Sequence, residues 1–249
     1  MRRTLVRHNF TEQINTYQPL SNTSDFIPYL YAMSLFINIH SHTPARSNEW
    51  VIQSLYQDFE KAALPGSYSI GLHPWYIQAS TWRQAFIALQ QYSRQQQVFA
   101  IGECGLDKVC ETDFALQEEV FVSQLLWANE INKPLVIHCV RAFEEVMYSL
   151  KKNQNKVPVI FHGFNKNRIL AEKLIEKGYW LSFGKDLLHE NMQEVFAALP
   201  LDKIFLETDD ATAGIGSIYQ SAASIKNIST EQLILQINKN TLTVFNTVI

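Results

Sequence analysis

The chain contains seven histidines, and five of them share one kind of position. His40 and His42 follow a short apolar run, His73 follows a second, His138 a third and His162 a fourth. Glu103 and Asp209 stand at equivalent places after two further runs. Imidazole and carboxylate are the ligand types of zinc, manganese, iron and nickel sites, whereas magnesium prefers oxygen alone. His40 and His42 are two residues apart, so in extended chain both rings project to one side and can grip one cation. A carboxylate at Glu103 costs several kcal/mol to desolvate without a partner, and a metal supplies that partner. A carboxylate can also bridge two metals roughly 3.5–4 Å apart. Taken singly, a strand-end histidine is ordinarily a hydrogen-bonded structural residue. The combination points to a shared cation. His8 and His189 fall outside the pattern, one in the N-terminal segment and one on a helix. Cys104 and Cys139 each follow a candidate ligand, should point to the opposite face of their strands, and lack metal-finger spacing.

Positioning these groups requires elements whose ends converge. Eight short runs rich in β-branched and aromatic residues read as buried parallel strands: Leu35–Ile39, Trp50–Leu55, Tyr68–Leu72, Val98–Gly102, Leu135–Ile137, Val157–Phe161, Tyr179–Phe183 and Ile204–Leu206. Helical spacing lies between them. Trp82, Ala85, Phe86, Leu89 and Tyr92 follow a Ser80-Thr81 cap. Phe121, Leu125, Ala128 and Ile131 repeat the period, Ile169 to Leu174 precede a Gly178 cap, and Leu233, Ile237 and Leu242 lie on a closing helix. The expected fold is an α/β TIM-type (β/α)8 barrel, with a shortened second βα unit over about Trp50 to Ala63. An open doubly wound sheet is the alternative, but no Gly-x-Gly-x-x-Gly follows the first strand and the chain has only nine glycines. In a barrel the C-terminal strand ends share one face, where βα loops build active sites.

Composition bounds the function. At 249 residues, 47% apolar and 18% charged, the chain can bury a large core as one domain. A net charge of -3 excludes a protein that coats nucleic acid electrostatically, but not an enzyme that grips one end of a strand. Three cysteines build no disulfide framework and point to a reducing compartment. No apolar run reaches the roughly 18 residues of a membrane helix, and no apolar signal core follows Met1-Arg2-Arg3. The expectation is a cytoplasmic protein with no membrane association and no obligate protein partner. Gln13 to Asp25 is polar and aperiodic. Residues 1–32 are therefore expected to form a poorly ordered extension, with the catalytic barrel over 33–249.

Six segments together resemble the TatD family of metal-dependent hydrolases. They are Ile39-His40-Ser41-His42, Gly71-Leu72-His73-Pro74-Trp75, Ile101-Gly102-Glu103-Cys104-Gly105-Leu106-Asp107, Lys133-Pro134-Leu135-Val136-Ile137-His138, Phe161-His162-Gly163-Phe164 and Leu206-Glu207-Thr208-Asp209. Their order and approximate spacing match over nearly everything from Leu35 onward. The resemblance implies an amidohydrolase-like barrel with two divalent metal ions (zinc, manganese, magnesium or similar). It implies that His40, His42 and Asp209 hold one ion, that His138 and His162 hold the other, and that Glu103 bridges them. Every ligand position is filled. The chain departs from the family at Asn38, where many members have Asp, in a short His42–Gly71 interval, and in residues 1–32, which have no counterpart.

The chemistry this implies is hydrolysis of ester bonds by water activated between two metals. The expected activity is a phosphodiesterase, specifically a deoxyribonuclease acting on the ends of single-stranded DNA. Asp209 would take the nucleophile's proton and Glu103 would organise the centre. His73 would contact a phosphate or orient the water, or else be only a Pro-constrained loop residue. Glu207 shares the face of Asp209 and is either a support for the ligands or a barrel-layer residue. Lys108, Arg141, Lys166, Arg168 and Lys185 follow predicted strands and could rim the site; Arg141, Lys166 and Arg168 are the expected substrate contacts. The alternatives are a hydrolase of a small amide, lactone or phosphoester on the same centre, or a metal-binding protein without catalysis.

Overall fold

The computed structural model describes residues 35–247. The extension expected over 1–32 lies outside them. Eight strands form one parallel sheet in sequential order: β1 (Phe36–Ser41), β2 (Glu49–Leu55), β3 (Tyr68–Ile70), β4 (Val98–Asp107), β5 (Leu135–Val140), β6 (Val159–Phe161), β7 (Trp180–Phe183) and β8 (Ile204–Leu206). All eight expected runs are strands. Every residue of β3, β6, β7 and β8 is buried, which explains why these strands read as continuous apolar runs instead of alternating ones.

Helices α1 (Trp82–Tyr92), α2 (Phe114–Ile131), α3 (Phe143–Lys152), α4 (Arg168–Glu176) and α5 (Glu190–Ala198) connect β3 through β8. Two more, α6 (Ile215–Lys226) and α7 (Thr230–Phe245), follow β8. The second βα unit is shortened as expected: a five-residue 3-10 helix, Phe59–Ala63, stands in place of a full helix. The first unit is shorter still, because β1 runs into β2 with no helix between them. His189 caps the N-terminus of α5 and so stands just outside its helix. Leu242 lies on α7 as expected, but faces solvent.

Two strands carry an extra residue where the chemistry lies. Asn38 and Ser41 pair with Val51 and Gln53, so three steps on β1 meet two on β2. Ile101 and Cys104 pair with Leu135 and Ile137, giving the same mismatch on β4. His40 and Glu103 fall inside these irregular stretches. Such irregularities re-aim side chains and recur beside active sites. Glu103 is therefore within β4 and does not end it, contrary to the sequence expectation. The strand continues because Cys104, Gly105, Leu106 and Asp107 still pair with β5, although Gly, Glu and Asp are poor strand signals. Gly105 has a φ of +144, and a side chain there would meet the His138 carbonyl oxygen at 2.0 Å. Only glycine lets β4 and β5 approach this closely.

The seam between β1 and β8 is closed mostly by side chains. The Asn38 amide donates to Thr208 Oγ1 at 2.8 Å and its Oδ1 accepts from the Thr208 N–H at 3.0 Å. The Tyr219 hydroxyl, from α6, accepts from the Ile37 N–H and donates to the Ile37 carbonyl. Near the mouth, Asp209 N–H donates to the His40 carbonyl and His42 N–H donates to the Asp209 carbonyl. Asp209 adopts a left-handed φ of 53 there.

Candidate metal centre

Five imidazoles converge on one carboxylate. Glu103 Oε1 lies 3.1 Å from His73 Nε2, 3.1 Å from His138 Nδ1 and 2.8 Å from His162 Nε2. Its other oxygen, Oε2, lies 3.3 Å from His40 Nε2 and 3.5 Å from His42 Nε2. Asp209 Oδ1 approaches the same two rings, at 3.5 Å from His40 and 3.3 Å from His42. All six expected ligand residues and His73 are thus in one cluster. Groups within it have the spacing to hold cations: His40, His42 and Glu103; His40, His162 and Asp209; His73, Glu103 and His138.

The supporting contacts set the ring orientations. Asp107 Oδ2 is 3.0 Å from His138 Nε2. Glu207 Oε1 is 3.4 Å from His162 Nδ1 and accepts from the Gly163 N–H at 2.7 Å. A carboxylate at one ring nitrogen draws the proton there and leaves the other nitrogen's lone pair for a metal. His138 and His162 then aim lone pairs at Glu103, which is repulsive unless a cation intervenes or the rings are protonated. Nδ1 of fully buried His40 has no hydrogen-bond partner among the described residues, and its Nε2 meets only the carboxylates of Glu103 and Asp209, at 3.3 and 3.5 Å. Both observations fit a cation at this place. His73 differs, because its Nδ1 accepts from the Trp75 N–H at 3.1 Å. The proton of its neutral ring is on Nε2, so His73 is built as a donor.

Without a cation the cluster satisfies itself with protons. Burial and the neighbouring His162 push the His40 pKa down, but Glu103 and Asp209 outweigh them and hold it up at about 9. His162 is also buried, yet Glu103 and Glu207 raise it well above the ordinary histidine value. Burial would raise Glu103 and Asp209, but the surrounding imidazoles hold both below the usual carboxylate range. For His73 burial dominates, and its pKa falls. Positive counter-charge at the cluster is what such an arrangement calls for.

α2 holds two of these strand ends with buried glutamines. Gln124 accepts from the Leu72 N–H and donates to the Leu72 carbonyl, one residue before His73. Gln117 makes the same pair of bonds with the backbone of Asp107. Sequence reading missed Gln117, Gln124 and the role of Asp107. The signal was present: two glutamines on the otherwise apolar stripe of α2, and an aspartate four residues past Glu103.

The cluster opens into a cavity of about 620 Å³. Lys166 lines it, whereas Arg141 and Arg168 do not. Arg168 Nε binds Glu172 at 2.7 Å on α4. Lys108 pairs with Glu145, Lys185 with Asp210 and Lys61 with Asp58. Lys166 donates to Asn165 Oδ1 and has no carboxylate partner among the described residues. Cys139, expected on the far face of β5, borders the cavity; burial pushes its thiol up to about 12. Cys104 is fully buried against the backbone of Ile101 and Val136, outside the metal-holding groups. Among the described residues no helix is long and apolar enough to cross a membrane.

Comparison with known proteins adds a family and a fold likeness. The family model described as TatD related DNase matches residues 50–246. A Buchnera aphidicola protein named an uncharacterized metal-dependent hydrolase is 30% identical over 196 residues, 72% of this chain and 73% of that one. A Shigella flexneri protein named 3'-5' ssDNA/RNA exonuclease TatD is 32% identical over 148 residues. That match spans 56% of this chain and only 55% of the exonuclease. Among solved structures, a TatD homologue from Escherichia coli K12 superposes with a TM-score of 0.75 at 22% identity, covering 86% of this chain and 99% of that one. At that identity the likeness speaks for the fold alone.

Proposed function

Because the chain belongs to the TatD family of metal-dependent hydrolases, we propose that it hydrolyses phosphodiesters and shortens single-stranded nucleic acid, DNA above all, from an end. The observation that carries this reading is the convergence of five imidazoles on Glu103 at the floor of an open cavity. His40, His42 and Asp209 would hold one divalent cation and His138 and His162 a second, with Glu103 between them. Bound there, such ions supply Lewis acidity and lower the pKa of water enough to make a nucleophile near neutral pH.

The protein's own groups divide the remaining work. Asp209 is the proton acceptor, since its side chain is 34% exposed while that of Glu103 is 4% exposed. It alone of the two meets both the cluster and arriving substrate. His73 donates from Nε2 to Glu103 Oε1, 3.1 Å away, because Trp75 occupies its other nitrogen, and so orients that carboxylate beside the reacting phosphate. Lys166 contacts a neighbouring phosphate. Arg141 is exposed and has no carboxylate partner among the described residues, which leaves it available for an outlying phosphate; Arg168 is committed to Glu172. Phosphate contacts are screened by salt, so cleavage should weaken as salt rises. The three cysteines are free, which fits a reducing, cytoplasmic setting.

The test is a substrate panel. Metal-loaded protein is offered a single-stranded oligonucleotide, a phosphomonoester, a lactone and an amide, with salt varied. The expected result is preferential, salt-sensitive cleavage of the oligonucleotide. Turnover of the lactone or amide with the oligonucleotide left intact would replace this reading.

A further inference from the structure

We infer that the cavity mouth carries a nucleobase-stacking platform built by Tyr56, Trp75 and Tyr76. This rests on the phosphodiesterase reading and names the part of the substrate that the cluster itself does not recognise. Large apolar side chains in this barrel are mostly buried, and only three aromatic ones are largely exposed among the described residues: Trp75, Tyr76 and Tyr148. Two of these three are adjacent and line the cavity above the cluster. Trp75 is 55% exposed and Tyr76 is 54% exposed. Exposed aromatic surface of this kind marks a binding site when it rims a functional cavity.

The rings are held in place. Tyr56 and Tyr76 stack with centroids 4.6 Å apart and planes 23° from parallel. The Trp75 indole N–H donates to Asp107 Oδ2 at 2.7 Å, and its ring stands edge-on to Tyr76, with planes at 72° and centroids 6.4 Å apart. The platform also sits one ring away from the reacting centre. Trp75 is 5.6 Å from His138, Tyr76 is 5.6 Å from His73, and Tyr56 is 6.3 Å from His42, all between ring centroids. A nucleotide joins base to phosphate through one sugar, so a phosphate at the cluster leaves its own base or the next within reach of this surface.

The segment that supplies Tyr56 lies between β2 and the short 3-10 helix, where the barrel lacks a full helix. Lys166 and Lys61 line the same cavity as the three rings, Lys61 being held by Asp58. Aromatic faces near lysines are the usual means of holding single strands without reading sequence, because every base offers a π-face. A duplex keeps its bases stacked on one another, so this surface favours unpaired ends. The ligand class is an unpaired nucleotide, with no preference among bases from hydrogen bonding.

The experiment compares metal-loaded cleavage of an oligothymidylate with that of the same oligomer carrying abasic residues at its last two positions. Wild type should lose about tenfold or more in kcat/KM on the abasic oligomer, the scale of one lost stack. Tyr76→Ala should cleave both oligomers at one reduced rate, and Tyr76→Phe, which keeps the ring, should keep the preference. Equal cleavage of both oligomers by wild type, or an undiminished preference in Tyr76→Ala, overturns the platform while the phosphodiesterase reading stands. Cleavage of neither oligomer overturns that reading instead. The platform is then decided by titrating thymidine monophosphate against deoxyribose 5-phosphate and following tryptophan fluorescence. Quenching by the nucleotide alone, lost in Trp75→Ala, supports it; equal response to both ligands overturns it.

Discussion

At the scale of single residues the centre is defined by which atom faces which. Glu103 touches five rings, and Asp209 touches two while remaining open to solvent. Their substitutions should therefore part company. Glu103→Gln removes the charge that draws the rings together, so metal content and turnover should fall together. Asp209→Asn leaves His138, His162 and Glu103 in place, so part of the metal should remain while turnover falls about 10²-fold or more, the scale of losing a positioned proton acceptor. Cys104→Ala, beside Glu103 but on the far face, should change neither much. Elemental analysis with steady-state rates checks all three, and metal loss in Cys104→Ala with retention in Glu103→Gln would reverse the face assignment.

Protons and cations compete for the same nitrogens. Imidazoles must be neutral to ligate, yet in the metal-free cluster His40 holds its proton up to about 9 and His162 is raised as well. Metal binding near neutral pH should release protons, and affinity should rise with pH through the window from 6.5 to about 9. The stability of the metal-free protein should follow the opposite trend. A raised histidine pKa stabilises the fold fully below 6.5, and that contribution is lost as pH rises through about 9. Calorimetric binding in buffers of different ionisation heat measures the released protons, and melting curves of chelated protein measure the second effect.

At the scale of elements, the barrel is a device for bringing strand ends together. Strand positions were legible because buried parallel strands are short apolar runs, and five histidines follow such runs. Three features were not legible. Continuation of β4 through Gly105 and Asp107 depends on backbone pairing with β5, which side-chain propensity does not report. The extra residues at His40 and Glu103 are properties of register between strands distant in sequence. The glutamines of α2 act on backbone 10 and 52 residues away, which no local pattern encodes. Asp107 was obscured by the first of these, since an expected strand end at Gly102 hid its shared face with Glu103.

The β1–β8 seam gives a test at this scale. Tyr219 is fully buried, and its hydroxyl satisfies both backbone groups of Ile37. Tyr219→Phe keeps the ring against Phe36 but leaves a buried N–H and carbonyl unpaired. The expected loss is about 1–3 kcal/mol of stability, read from denaturant midpoints, with metal content retained. An unchanged midpoint would show that water closes the seam instead.

At the scale of the whole molecule, β1 through α7 complete the barrel within the described residues. We propose that residues 1–32 stand apart from this unit, because their sequence has no apolar period. A chain beginning at Met33 should keep the melting temperature and metal content of the full chain. Loss of either would mean that the extension packs on the barrel. The account as a whole turns on metal-dependent cleavage from a strand end, and one gel addresses that directly. Protein stripped with a chelator, and the same protein reloaded with zinc, manganese or magnesium, is incubated with a single-stranded oligonucleotide labelled at either end. The predicted result is an inert stripped protein and a reloaded protein that shortens the strand progressively from one end. Shortening that survives chelation, or a fully metal-loaded protein that leaves the strand intact, would contradict it.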